Sequence, residues 1–379
     1  MPSRAQQLLE FGQSVWLDYI HRRELRSGAF AAQVRDQGVV GVTSNPTIFQ
    51  QAIGQGSDYD AAIAERLGRG LSGLALYESL AIEDVQTACD LLKPVFDRSG
   101  GVDGRVSIEV NPRLAHDTDH TIEEARRLRR EVGRANVMIK VPATSEGLPA
   151  VRALIAEGVC VNVTLIFSLA RYEQVMDAYL SGLERRAAQG GPLAPVMSVA
   201  SFFVSRVDNK VDAALEQRLA ALPESSPEHA ELKGLAGRAA VANARLAYAR
   251  FGEVFGGPRF AALKARGAHV QRPLWASTST KNPAYPDTLY VDELIGPDTV
   301  NTIPPKTLVA FNDHGVLETR ITRDVAAARA LFQRLPALGV PAEALVDALE
   351  EEGVVAFVKS FESLLATLEQ KRATLAGQA

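Results

Sequence analysis

The chain has 379 residues, 46% of them hydrophobic and 23% charged, with a formal net charge of −4. That is the composition of a globular protein, long enough for one large α/β domain or two smaller ones. The near-balanced charge, without a basic block, argues against nucleic acid and anionic membranes as partners, and no apolar run approaches the roughly 20 residues that cross a bilayer.

Short apolar runs, taken in chain order, predict strands at Val15–Tyr19, Val39–Ser44, Val106–Val110, Val137–Val141, Val159–Phe167, Pro195–Phe203, Leu274–Ser277 and Val300–Ile303. Amphipathic stretches at Thr121–Val132, Ser145–Glu157, Leu169–Ala188 and Ser205–Leu222 lie between them. Strands alternating with helices imply parallel βαβ units. Eight of them predict an α/β fold closed as a (β/α)8 TIM barrel, although a doubly wound open sheet shares the alternation. The surplus over the ~250 residues typical of such a barrel falls in helical insertions near 51–101 and 223–268 and in a helical C-terminal segment, 323–375. Within the first insertion the pattern predicts helices at Ala61–Leu67 and Leu74–Phe96. No linker is long enough to mark a boundary, so residues 1–379 are expected to form a single elaborated domain.

Cys89 and Cys160 are the only cysteines, too few for a disulfide framework or a cysteine zinc site. The opening Met-Pro-Ser-Arg and the polar stretch after it lack the apolar core of a signal peptide. A cytoplasmic protein is expected.

Polar residues interrupt the apolar strands in a consistent way. In "VWLDYI" Asp18 stands between Leu17 and Tyr19, and in "VTSNP" Thr43 pairs with Asn45. "VSIEVNP" puts Ser107 and Glu109 on one face, "NVMIKVP" puts Lys140 on the face of Met138, and "VNVTLIF" puts Asn162 with Thr164. Alternate strand residues face the barrel interior, and active sites of such barrels sit at the C-terminal ends of the strands. A single strand-end residue of this kind is readily satisfied by backbone or water. Five on one rim must satisfy each other, since buried polar groups pair, and that requires them to converge. The only close histidine pair, His116 and His120 in "HDTDH", falls where Asp117–Thr121 should open a helix, so capping is its expected role, and no metal cluster is visible.

Lys140 among carboxylates has two readings. It is either a buried ion pair with Asp18 or Glu109, costly unless well paired, or a Schiff-base nucleophile. An ordinary lysine is only about 0.04% neutral at pH 7. Desolvation frees such an amine to attack a carbonyl while nearby carboxylates oppose it, and the same carboxylates could move the protons that carbinolamine dehydration and C–C cleavage require.

Six segments together resemble the transaldolase family: "GVTSNPTIF" (Gly41–Phe49), "VSIEVNPRLAHDT" (Val106–Thr118), "MIKVPAT" (Met138–Thr144), "VNVTLIFS" (Val161–Ser168), "SFFVSRVD" (Ser201–Asp208) and "ASTSTKNP" (Ala276–Pro283). They run in family order over most of the chain, and the last is similar to the longer bacterial subfamily. The resemblance implies Lys140 as the Schiff-base lysine and Asp18 as the base at the C4 hydroxyl. Glu109 and Thr164 would hold the water of carbinolamine formation and dehydration. Thr43, Asn45, Asn162, Ser201 and Phe203 would line the dihydroxyacetone site, with Arg206, Ser277 and Lys281 on the phosphate. At the last position shorter relatives carry an arginine, which binds phosphate as a fork where lysine is a point charge. The implied reaction passes a dihydroxyacetone unit from sedoheptulose 7-phosphate or fructose 6-phosphate to glyceraldehyde 3-phosphate or erythrose 4-phosphate, in the pentose phosphate pathway. The iminium nitrogen is the electron sink, so the resemblance implies no metal and no organic cofactor. The partners would be sugar phosphates, with no nucleic acid and no membrane, and the chain would act as a monomer or homodimer.

The nearest alternative is a fructose-6-phosphate aldolase, which releases free dihydroxyacetone; those relatives carry glutamine and tyrosine where this chain has Glu109 and Phe203. A non-catalytic sugar-phosphate-binding barrel would be expected to have lost Lys140 or Asp18.

Overall fold

The computed structural model describes residues 2–376. Eight parallel strands close into a barrel in chain order, with β8 pairing back onto β1. They are β1 (Gln13–Asp18), β2 (Val39–Thr43), β3 (Arg105–Glu109), β4 (Val137–Pro142), β5 (Val161–Ile166), β6 (Ser198–Phe203), β7 (Arg272–Ala276) and β8 (Thr299–Ile303). Seventeen α-helices are described around and between them, making a (β/α)8 TIM barrel with additional helices. Among the described residues no helix is long and apolar enough to cross a membrane.

All eight predicted strands form, and the boundary differences have local causes. β1 begins two residues early because the side-chain nitrogen of buried Gln13 finds partners: it donates to Leu294 O at 2.7 Å and to Thr299 Oγ1 at 2.9 Å. β7 likewise begins at Arg272, whose guanidinium reaches Ser14 Oγ, Val102 O and Asp103 Oδ1 within 3.1 Å. The polar character that hides these ends in the sequence is a hydrogen-bonded plug at the barrel floor. β6 begins late because Leu193–Val196 turns on itself, with Val196 N donating to Leu193 O at 2.9 Å.

Above the plug, Trp16 fills the cross-section. A Cβ on its β2 partner Gly41 would fall 2.5 Å from the indole ring, so only glycine fits beside it. The register then stacks the polar positions of the upper layer: Asp18 opposite Thr43, Glu109 opposite Lys140, Lys140 opposite Asn162. β5 breaks its register with β6 between Val163 and Ile166, and Leu165 sits there at φ 59°. A branched residue in the left-handed region is strained by about 1–3 kcal/mol and marks a bulge imposed from outside the strand.

The insertions take the predicted helical form, Asp60–Gly68 and Gly73–Arg98 in the first, Pro227–Lys233, Ala239–Phe255 and Pro258–Lys264 in the second. The first is tied to the helix after β1 by buried Arg22, which bonds Asp84 at 2.8 Å and Glu83 at 3.0 Å. After Val325–Ala337 comes the helix Ala342–Ala376, 35 residues and so about 50 Å long, which crosses the C-terminal mouth of the barrel. Ion pairs fasten it to the helices there, Glu350 to Arg171, Glu352 to Lys210 and Lys371 to Asp60, and Glu351 lies 3.4 Å from His116 in the loop after β3. Gly353 lets the helix sink onto the β5 bulge, since a Cβ there would stand only 3.0 Å from Leu165 Cδ2.

Gly41→Ala should overpack Trp16 and cost about 1–3 kcal/mol. Thermal unfolding followed by fluorescence should show Tm lowered by a few degrees.

Candidate active site

The upper ends of the strands open into a cleft of about 350 Å³ lined by residues from seven of the eight strands or the turns after them. β4 supplies Lys140, placed mid-strand by flanking Met138, Ile139 and Val141, all fully buried. Lys140 is itself 5% exposed. Its Nζ donates to Ser44 O at 2.9 Å and stands 3.9 Å from Glu109 Oε1. Ser44 is fixed in turn, its hydroxyl donating to Ser107 O at 2.9 Å. The amine is thus held by one backbone carbonyl and one carboxylate at the edge of contact.

Two carboxyl groups flank it with different surroundings. Asp18 accepts from Thr43 Oγ1 at 2.9 Å, and Thr43 accepts from the Thr302 hydroxyl at 2.6 Å. Burial pushes the Asp18 carboxyl above the usual range, against the pull of Lys140, the Thr43 hydrogen bond and Lys281. Glu109 is pushed up to about 7 by burial, with Lys140 opposing and Asp18 reinforcing the rise. Glu109 Oε2 and Thr164 Oγ1 are both buried with no hydrogen-bond partner among the described residues. Atoms of this kind call for a small polar guest.

On the next strands Asn162 donates to Ser107 Oγ at 3.1 Å and accepts from Ser201 Oγ at 2.6 Å. Asn162 and Glu109 therefore stand behind the cleft wall, whereas Asp18, Thr43, Asn45, Lys140, Thr164, Ser201 and Phe203 line it. Asn45 also caps the helix Pro46–Gly54 by accepting from Ile48 N at 3.0 Å.

The far end of the cleft is cationic. Arg206 lies in the first turn of the helix Ser205–Ala220, its guanidinium 5.4 Å from the Phe203 ring centroid. Burial alone moves its pKa, downward; no carboxylate pairs with it among the described residues. Among the described residues Lys281 Nζ donates only to Ser279 Oγ, at 2.9 Å. Ser277 is held at φ 57°, its carbonyl accepting from Ser205 N and its hydroxyl 2.8 Å from that of Ser205. A guanidinium, an ammonium and a strained serine at an uncapped helix N-terminus make a site for an anion such as phosphate.

The twelve residues singled out in the sequence thus come together, ten of them on the cleft. Four contributors were not foreseen. Thr302 carries the same signal as the others, a hydroxyl in an apolar strand, and was legible in "VNTIP". Thr47 and Gln51 face the cleft from the helix Pro46–Gly54. Phe357, from the helix across the mouth, stands with its ring centroid 5.9 Å from Lys140 Nζ. The "HDTDH" segment is a cap: Asp117 accepts from His120 N at 3.1 Å and opens the helix Thr118–Val132.

Comparison with known proteins places the chain in a family. The family described as transaldolase/fructose-6-phosphate aldolase matches residues 15–368. A transaldolase of Mycolicibacterium smegmatis is 52% identical over 355 residues, 93% of each chain. Transaldolase 1 of Streptomyces coelicolor is 52% identical over 364 residues, 96% of this chain and 93% of that one. Transaldolase 2 of Nostoc is 47% identical over 367 residues, 96% of each.

A carboxyl group raised from 4.5 to about 7 on folding binds its proton more tightly in the native state. The native state then holds more protons between those pH values, so its stability declines as pH rises through that window, by roughly 3 kcal/mol for this group. Tm should fall from pH 5 to pH 7.5, and Glu109→Gln should flatten the decline when the two proteins are scanned side by side.

Proposed function

Because the chain belongs to the transaldolase/fructose-6-phosphate aldolase family, we propose that it is a transaldolase of sugar-phosphate metabolism working through a Schiff base on Lys140. The observation that carries this reading is a lysine enclosed at the barrel rim between two carboxyl groups, one cleft away from an unpaired arginine.

The ketose phosphate, sedoheptulose 7-phosphate or fructose 6-phosphate, enters with its phosphate on Arg206, Lys281 and Ser277. Lys140 Nζ adds to the C2 carbonyl. The carbinolamine loses water to give the iminium, with Glu109 relaying the protons and Thr164 helping to hold the water; a carboxyl group near 7 both gives and takes a proton at neutral pH. Asp18 removes the proton from the C4 hydroxyl, the C3–C4 bond breaks, and its electron pair moves to the iminium nitrogen. Burial that raises the Asp18 carboxyl makes its ionised form a stronger base. The aldose phosphate departs and an enamine remains, its hydroxyls bonded by Asn45 and by Ser201, which Asn162 orients. Glyceraldehyde 3-phosphate or erythrose 4-phosphate then binds, and the steps reverse. Glu109 and Phe203 favour this transfer over release of free dihydroxyacetone.

Borohydride reduction in the presence of fructose 6-phosphate should add a dihydroxyacetone or hexose phosphate mass to the peptide carrying Lys140, and Lys140→Ala should abolish both label and activity. Label on another peptide, or activity surviving in Lys140→Ala, would overturn the mechanism. Free dihydroxyacetone released at the turnover rate without acceptor would instead identify an aldolase. Arg206→Ala removes a charged hydrogen-bonding partner worth about 1.5–3 kcal/mol, so KM for the phosphorylated donor should rise roughly ten- to a hundredfold with a smaller change in kcat.

A further inference from the structure

The helix Ser205–Ala220 carries Arg206 in its first turn and two aspartates, Asp208 and Asp212, one turn apart on one face. Both reach the segment that leads from β7 to the short helix Leu289–Asp292 and bears Ser277 and Lys281. Asp208 is fully buried and accepts from Ala240 N and from the Tyr290 hydroxyl, each at 2.7 Å. Asp212 accepts from Gly237 N at 2.9 Å and from the Tyr285 hydroxyl at 2.7 Å. Gly237 sits at φ 70°, and a Cβ there would fall 2.6 Å from Tyr285 Cζ, so the phenol is wedged between a glycine and a carboxylate.

We propose that Asp212 is a positioning residue for the phosphate: through Tyr285 it fixes the far end of the stretch Ser277–Tyr285 and keeps Lys281 at the cationic end of the cleft with Arg206. The inference rests on reading that end of the cleft as a phosphate site. The near end of the stretch is fixed by Ser205 on Ser277, and by Thr278 Oγ1 donating to Asn301 Oδ1 at 2.9 Å and to Thr302 O at 3.2 Å. Between these anchors the chain bonds to itself: Lys281 Nζ to Ser279 Oγ, Ala284 N to Asn282 Oδ1 and Tyr285 N to Asn282 O. With the far end loose, the ammonium would be spread over many positions. Lysine is a point charge on a flexible stem, so what it gives a phosphate depends on where its backbone is held. Ordering that backbone beforehand removes a cost otherwise met on binding. A phenol donating to a carboxylate is a short, strong hydrogen bond suited to the task. Gly237 lies in the 223–268 insertion, which thereby takes part in building the cleft.

Asp212→Ala and Tyr285→Phe should each raise the KM for fructose 6-phosphate and the competitive Ki of inorganic phosphate in parallel, by roughly tenfold, with a smaller change in kcat. Asp212→Asn, whose amide still serves both Gly237 N and the Tyr285 oxygen, should restore both constants to near their original values. Borohydride trapping with dihydroxyacetone, which has no phosphate, should label Lys140 equally in all variants, an equality that a general lesion of the cleft would destroy. Tyr285→Phe removes a single oxygen and reads the same constants if the alanine variant does not fold. An unchanged Ki in both Asp212→Ala and Tyr285→Phe, or trapping that falls as far as KM rises, overturns this inference alone. Absence of phosphate inhibition in the unsubstituted protein overturns the phosphate-site reading and this inference with it.

Discussion

A closed barrel turns alternate side chains of every strand into a space with no solvent of its own, and each polar atom there must find a partner or pay several kcal/mol. This constraint orders the molecule from floor to rim. At the floor the demand is met in large part internally: Arg272, Ser14 and Asp103 satisfy one another beneath Trp16, while Gln13 Oε1, Gln271 Oε1 and the Trp16 indole nitrogen find no partner among the described residues. At the rim it is met only in part. Thr43, Thr302 and Asp18 form one chain of hydrogen bonds and Ser107, Asn162 and Ser201 another, while one oxygen each of Glu109 and Thr164 is left over. What sets the rim apart is that its two unpartnered oxygens stand beside a lysine and an open cleft, where a small polar guest can reach them.

The two carboxyl groups show how position divides labour. Both are half-buried and both lie near Lys140, yet Asp18 has a hydroxyl donor and lines the cleft, whereas Glu109 stands behind the wall with no donor among the described residues. Burial weakens each as an acid, but only Asp18 can touch a substrate hydroxyl directly. Glu109 reaches the reacting atoms through the amine or through water.

Much of this was legible in the sequence, because strand burial and strand polarity are both local signals. An apolar run with one polar residue near its C-terminal end identified β1 to β5 and the residues facing Lys140. The errors arose where tertiary partners outweigh local pattern. Gln13 and Arg272 look like loop residues until their buried hydrogen bonds are counted. Leu165 gives no hint that it will adopt a left-handed backbone, since the bulge depends on a helix nearly two hundred residues away. Phe357 belongs to an evident apolar stripe with Phe361, Leu364 and Leu368, but periodicity identifies a buried face without saying what lies beneath it. That Asn162 braces Ser201 and stands off the cleft is likewise a matter of depth, which strand parity does not encode.

The bar across the barrel mouth also sets an order of assembly. Its anchors, Arg171, His116, Lys210 and Asp60, belong to loops and helices that follow four different strands, so the helix has nothing to grip until the barrel has closed. Lys140 and its two carboxyl neighbours are therefore in place before the helix above them. Until this helix docks, Lys140 lacks the cover that Phe357 gives it, so closing the barrel and enclosing its central amine are separate events.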